Sequence, residues 1–168
     1  MPGPSPRIIL HDVEIYAFNV YTSTSATITA TLQITLFCRN IHDDVSINVD
    51  KIHVYASYYK QQITLPVPVP PKYLDHSEFA VWSPYFNGTT VPMNVDFAAA
   101  LARDVAAGGV MVDVIVTGRF RSSNGMISVS NPMEVSCPVY VTFGNKTDDG
   151  NVIGSPVKKP LDEECFFV

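Results

Sequence analysis

Residues 26–37 read ATITATLQITLF. Ala26, Ile28, Ala30, Leu32, Ile34 and Leu36 share one parity, and Thr27, Thr29, Thr31, Gln33 and Thr35 share the other. Strict period-two alternation of β-branched residues specifies a strand with one face buried and one face wet. Cys38 continues the apolar parity, so its thiol points inward. A strand of this kind cannot stand alone. Its apolar face needs a second layer, so the chain must fold as packed β-structure.

The next segment adds a change of phase. Val45, Ile47 and Val49 alternate on odd positions, whereas Ile52, Val54, Ala56 and Tyr58 alternate on even ones. One residue of slip turns every side chain to the opposite face, so a bulge or tight turn is expected near Asp50-Lys51. Residues 65–71, LPVPVPP, lack the donors of a central strand and predict an edge or an extended connection. Residues 95–107 carry the single helical signal, with Phe97, Leu101 and Val105 at i, i+4 and i+8 among alanines. Asn94 or Asp96 supplies the start and Gly108 the stop.

Strand signals resume at 110–121, 126–130 and 133–144, with Asn124-Gly125 as a hairpin cue. Short strands, regular turns and one lone helix predict an all-β fold, an immunoglobulin- or fibronectin-III-like sandwich of about seven to eight strands. A chain of 168 residues reads as one domain over 1–168, with 1–6 a flexible start.

Several functions are disfavoured by composition. Net charge is −5 and only 16% of residues are charged. The scattered Lys and Arg form no cluster to neutralise phosphates, which argues against nucleic acid. No stretch approaches the roughly 18 apolar residues of a membrane span, and MPGPSPRIIL lacks the layout of a signal peptide. No nucleophile elbow, P-loop or His-Glu-x-x-His occurs. The best ligand cluster, His42-Asp43-Asp44, reads as a solvated turn. We therefore expect no catalytic residue, no metal and no cofactor. Three cysteines, Cys38, Cys137 and Cys165, allow three pairings or none. The ending Cys165-Phe166-Phe167-Val168 has the layout of a prenylation signal, but valine is unusual there and the preceding Leu161-Asp162-Glu163-Glu164 is acidic. A final strand with its cysteine and aromatics in the core fits better.

Residues 81–92, VWSPYFNGTTVP, combine turn-formers with Trp82, Tyr85 and Phe86. They also hold the sequon Asn87-Gly88-Thr89, and a second one follows at Asn145-Lys146-Thr147.

In order, these segments resemble the plant NHL family of harpin-induced-like and non-race-specific-disease-resistance-like membrane proteins. Their outer portion is a group 2 late-embryogenesis-abundant, or water-stress-and-hypersensitive-response, domain. The resemblance lies in Cys38-Arg39-Asn40, Val54-Tyr55-Ala56-Ser57-Tyr58-Tyr59, Trp82-Ser83-Pro84, the helix, the strand 110–118, Val135-Ser136-Cys137-Pro138-Val139 and Cys165. It covers nearly the whole chain. One departure is Arg39-Asn40-Ile41-His42, where many members have Arg-Asn-Pro-Asn.

The resemblance implies a plasma-membrane protein of plant defence and stress signalling, with an upstream cytoplasmic tail and transmembrane helix. Its outward domain would be a non-enzymatic module for defence-signalling or pathogen-derived protein partners, with homo-oligomers a further option. The alternative is a soluble cytoplasmic stress protectant of the same domain type. Three site expectations follow. Cys137 shares the inward parity of Val135, Val139 and Val141, and a closing strand at Cys165 would bring the two together in a disulfide while Cys38 stays reduced. Asn87 and Asn145 would lie on the surface and accept glycans. Trp82 would anchor a loop whose Tyr85 or Phe86 is exposed for a protein partner.

Overall fold

The computed structural model describes residues 4–22, 25–142 and 157–168, with side chains from 164 onward in the last of these segments. The strands before the helix are β1 (Arg7–Tyr21), β2 (Thr27–Arg39), β3 (Ser46–Tyr58), β4 (Gln61–Gln62), β5 (Val67–Val69), β6 (Lys72–Leu74), β7 (Phe79–Trp82) and β8 (Tyr85–Pro92). After α1 (Val95–Ala107) come β9 (Gly109–Ser123), β10 (Ser128–Thr142), β11 (Val157–Glu164) and β12 (Phe166–Phe167). They form two antiparallel sheets enclosing one apolar core. The first runs β11-β1-β2-β7, with β8 also on β2. The second runs β12-β10-β9-β3-β4, with β5 and β6 also on β3. The all-β sandwich with one short helix is the architecture that the alternating segments predicted.

Local chemistry explains the elements. In β2 every even residue from Ile28 to Cys38 is buried. The phase change in β3 is a register shift between Asp50 and His53, with Lys51 at φ 54°. The proline run supplies only β5 and is followed by β6, both short pieces on the far side of β3 from β9. Asn94 caps α1 through its side-chain oxygen, which accepts the Asp96 and Phe97 N–H groups, and Gly108 closes it at φ 108°. The buried helix residues are Ala98, Leu101 and Val105, whereas Phe97 is exposed and stacks on Tyr59 at 6.1 Å. Tyr58 holds the helix by donating to the Asp104 carboxylate at 2.7 Å. Desolvation, then this bond, raises the Tyr58 phenol above its ordinary pKa.

β1 is a long strand with two register shifts against β2, at Leu10/Asp12 and Ile15/Ala17. Its buried residues therefore change parity twice, from Ile8 and Leu10 to Val13 and Ile15, then to Phe18. β10 runs through Asn131-Pro132 without a break, merging two expected strands into one. Pro132 is tolerated because β12 covers β10 only at Val135 and Ser136.

Candidate functional site

The segment 81–92 is not a loop. Trp82 pairs with Leu36 and Tyr85 with Gln33, so both sides of Ser83-Pro84 hold the same register on β2. Pro84 accepts the Ile34 N–H at 3.2 Å but has no N–H to return, which is why the ladder lapses there. Alternation continues through the lapse. Ala80, Trp82, Phe86 and Gly88 face inward and are buried, while Phe79, Val81, Tyr85 and Asn87 are exposed.

Trp82 is buried as the anchor expected of it, which removes it, together with Phe86, from the residues available to a partner. Trp82 is 6% exposed and Phe86 1%, because their register places them opposite Leu36 and Leu32 over the core. Only Tyr85 is available, at 52%.

The structure gives Tyr85 other companions. Its ring lies 5.5 Å from that of Tyr16, whose hydroxyl donates to Glu14 at 2.7 Å, and this bond is the main cause that raises the Tyr16 phenol's pKa. Farther along the same outer face, Phe37 stacks on His11 at 5.0 Å and lies 6.3 Å from Phe79. Ile9, Phe37, Arg39 and Phe79 line a cleft of about 240 Å³. Ile9, Phe37, Phe79 and Val81 escaped the sequence reading. They occupy outward positions of strands, and only the pairing of β1 with β2 and β7 assembles them.

Asn87 is exposed on the same sheet. Its backbone carbonyl accepts the Leu65 N–H at 2.9 Å. A Cβ at Gly88 would stand 2.7 Å from the Ile63 carbonyl oxygen, so glycine is required for this close approach. The second sequon, at Asn145, lies outside the described residues.

Cys137 and Cys165 form a disulfide and Cys38 is a buried free thiol. Desolvation pushes the Cys38 pKa up to about 12, which suppresses its thiolate. Cys165 sits where the chain leaves β11 in one sheet and enters β12 in the other. The closing aromatics do not pack in the core as expected. Phe166 and Phe167 are exposed on a two-residue strand, with Phe167 edge-on to Phe120 at 6.0 Å.

Asn40 is fully buried, its amide donating to the Val45, Leu74 and Asp75 carbonyls and its oxygen accepting the His42 N–H. It ties the β2–β3 connection to the end of β6. Asp43 and Asp44 are exposed in that turn. Among the described residues no group of three or more His, Cys, Asp or Glu could hold a metal ion. No helix among them is long and apolar enough to cross a membrane.

Fold and site together define a disulfide-bonded β-sandwich with aromatic side chains displayed on a rigid sheet. No family model matches the sequence. Curated relatives do. NDR1/HIN1-like protein 1 of Arabidopsis thaliana is 37% identical over 161 residues, 95% of this chain and 77% of that protein. NDR1/HIN1-like protein 12 is 36% identical over 161 residues, 95% of this chain and 76% of the relative. NDR1/HIN1-like protein 26 is 31% identical over 140 residues, 83% and 66% respectively. The chain belongs to the plant NDR1/HIN1-like family, a family related to defence and stress. Among solved structures, a protein from Archaeoglobus fulgidus matches 81% of this chain and 98% of its own, at 13% identity and a TM-score of 0.41.

Proposed function

We propose that this sandwich is a non-enzymatic interaction domain of a plasma-membrane plant defence and stress protein, facing the cell exterior. It presents the outer face of the β1-β2-β7/β8 sheet to protein partners. One observation carries the reading: Phe79, Val81 and Tyr85 stand outward along continuous strand register, fixed by Ala80, Trp82 and Phe86 in the core behind them. Rigid aromatic side chains lose little entropy on binding and serve as interface anchors. The Cys137–Cys165 disulfide supports an oxidising compartment, and the exposed Asn87 suits a glycan.

The test is surface labelling of the intact protein in plant cells. Non-permeant biotin reagent should capture it from unbroken cells, and glycosidase should increase its mobility, with the Asn87→Gln variant losing that part of the change. A protein that escapes labelling and carries reduced Cys137 and Cys165 would instead support the cytoplasmic stress protectant.

A further inference from the structure

We propose that the cleft between Ile9, Phe37 and Phe79 receives an apolar side chain from an acidic stretch of a partner protein, with Arg39 meeting the partner's carboxylate. The inference rests on the reading of the domain as a protein-interaction module and specifies the partner's chemistry.

The register builds the site from two adjoining rows. In one, Arg7 lies opposite Arg39 and Arg39 opposite Phe79. In the next, Ile9 lies opposite Phe37 and Phe37 opposite Val81. An apolar floor is thus bordered by two cations. Their circumstances differ. Arg7 Nε is paired with the Glu164 carboxylate at 2.7 Å. Arg39 has no ion pair or side-chain hydrogen bond among the described residues. The nearby Glu78 carboxylate instead accepts the Asp75 N–H at 2.7 Å. The Arg7 charge is already met by Glu164, so an incoming carboxylate would meet Arg39, the cation of this row without an ion pair among the described residues.

Size and exposure restrict the occupant further. At about 240 Å³ the cleft falls below the roughly 300–1,000 Å³ of small-molecule sites. It suits a single inserted side chain. Phe79 is 60% exposed, an open wall against which a leucine or phenylalanine can pack. An apolar anchor flanked by carboxylates satisfies both halves of the site.

The experiment is an NMR titration of the ¹⁵N-labelled 168-residue chain with two capped peptides. One is Gly-Asp-Asp-Phe-Glu-Asp-Gly, and the other has lysine at every acidic position. The acidic peptide should shift the amides of residues 7–9, 37–39 and 79–81, more strongly at low salt. The lysine peptide should leave them in place. Arg39→Glu, a change at an exposed side chain, should weaken the acidic peptide by about tenfold and admit the lysine peptide. Phe79→Ala should weaken it while keeping the preference for acid.

Equal binding of both peptides, indifference to Arg39→Glu, or shifts confined to other surfaces would overturn the proposal. So would the same amides shifting with the chain's own concentration, or with phosphatidylserine vesicles but not the peptide. Failures of the two readings are separable. The lysine peptide seated in this cleft would sink the acidic partner alone. A chain that binds the acidic peptide but escapes surface labelling would sink the exterior placement alone.

Discussion

The two lateral margins of the sandwich are closed by different chemistry. At the β11/β12 margin the chain crosses between sheets and Cys165 is covalently fixed to Cys137 of β10. The Cys165 N–H donates to Ile8 in one sheet, and the Val168 N–H to Glu134 in the other. At the β8 margin no covalent link exists among the described residues. There the Leu65 N–H donates across to Asn87, and Gly88 lets the two backbones approach. A disulfide acts largely on the unfolded chain, by restricting its freedom. A close-packed glycine acts on the folded state, by permitting contact that any side chain would prevent. One margin is thus guarded by topology and the other by shape.

The largest expected effect lies inside the second margin. Phe86→Ala removes a fully buried ring and should cost about 3–5 kcal/mol, lowering Tm by about 10 °C or more in thermal denaturation. A loss near zero would mean that β8 is not the wall of the core. Second comes the covalent margin. Replacing Cys137 and Cys165 together by serine should cost about 3–4 kcal/mol on the chain-entropy relation for a separation of 28 residues. Hydrogen exchange should then deprotect the Cys165-site and Val168 amides while sparing Leu65. Peptide mapping of the unreduced wild type should recover Cys38 as a free thiol, and a mixed peptide containing it would contradict the pairing.

Gly88→Ala comes third, at about 2–3 kcal/mol from overpacking. Its exchange signature should be the reverse, with Leu65 deprotected and Cys165 spared. The substitution leaves an Asn-x-Thr sequon intact, so a change in glycosylation would reflect altered structure rather than a lost signal. The smallest effect belongs to Tyr85→Ala. Beside Phe86→Ala it should leave stability within about 0.5 kcal/mol. A drop in Tm comparable to that of Phe86→Ala would show that the outer aromatic face supports the fold.

Much of this architecture was legible, and the parts that were not share a cause. β2 could be read because nothing interrupts its parity, and the slip in β3 because its two phases are each long enough to see. β1 was missed because register shifts at Leu10/Asp12 and Ile15/Ala17 cut its apolar pattern into fragments of two residues. Residues 81–92 looked like a loop because proline and glycine occupy inward positions, where alternation is normally marked by large apolar side chains. Phe97 looked like a core residue because the helix period cannot distinguish adjacent rows, and Ala98 took the inward place. The candidate surface was legible only at Tyr85. Its remaining members come from strands far apart in the chain, and pairing brings them together without any local signature.

The crossing at Cys165 also determines where the molecule can be held. Arg7 and Glu164 are joined by an ion pair, and Ile8 and Cys165 by a backbone hydrogen bond. The described start of β1 and the end of β11 therefore emerge at one pole, while α1 packs against β1 and β9 near the other. A bead or surface attached through either end would grip the same pole. Force applied between those two ends would part β1 from β11 at that pole, where the Arg7–Glu164 and Ile8–Cys165 contacts meet it first.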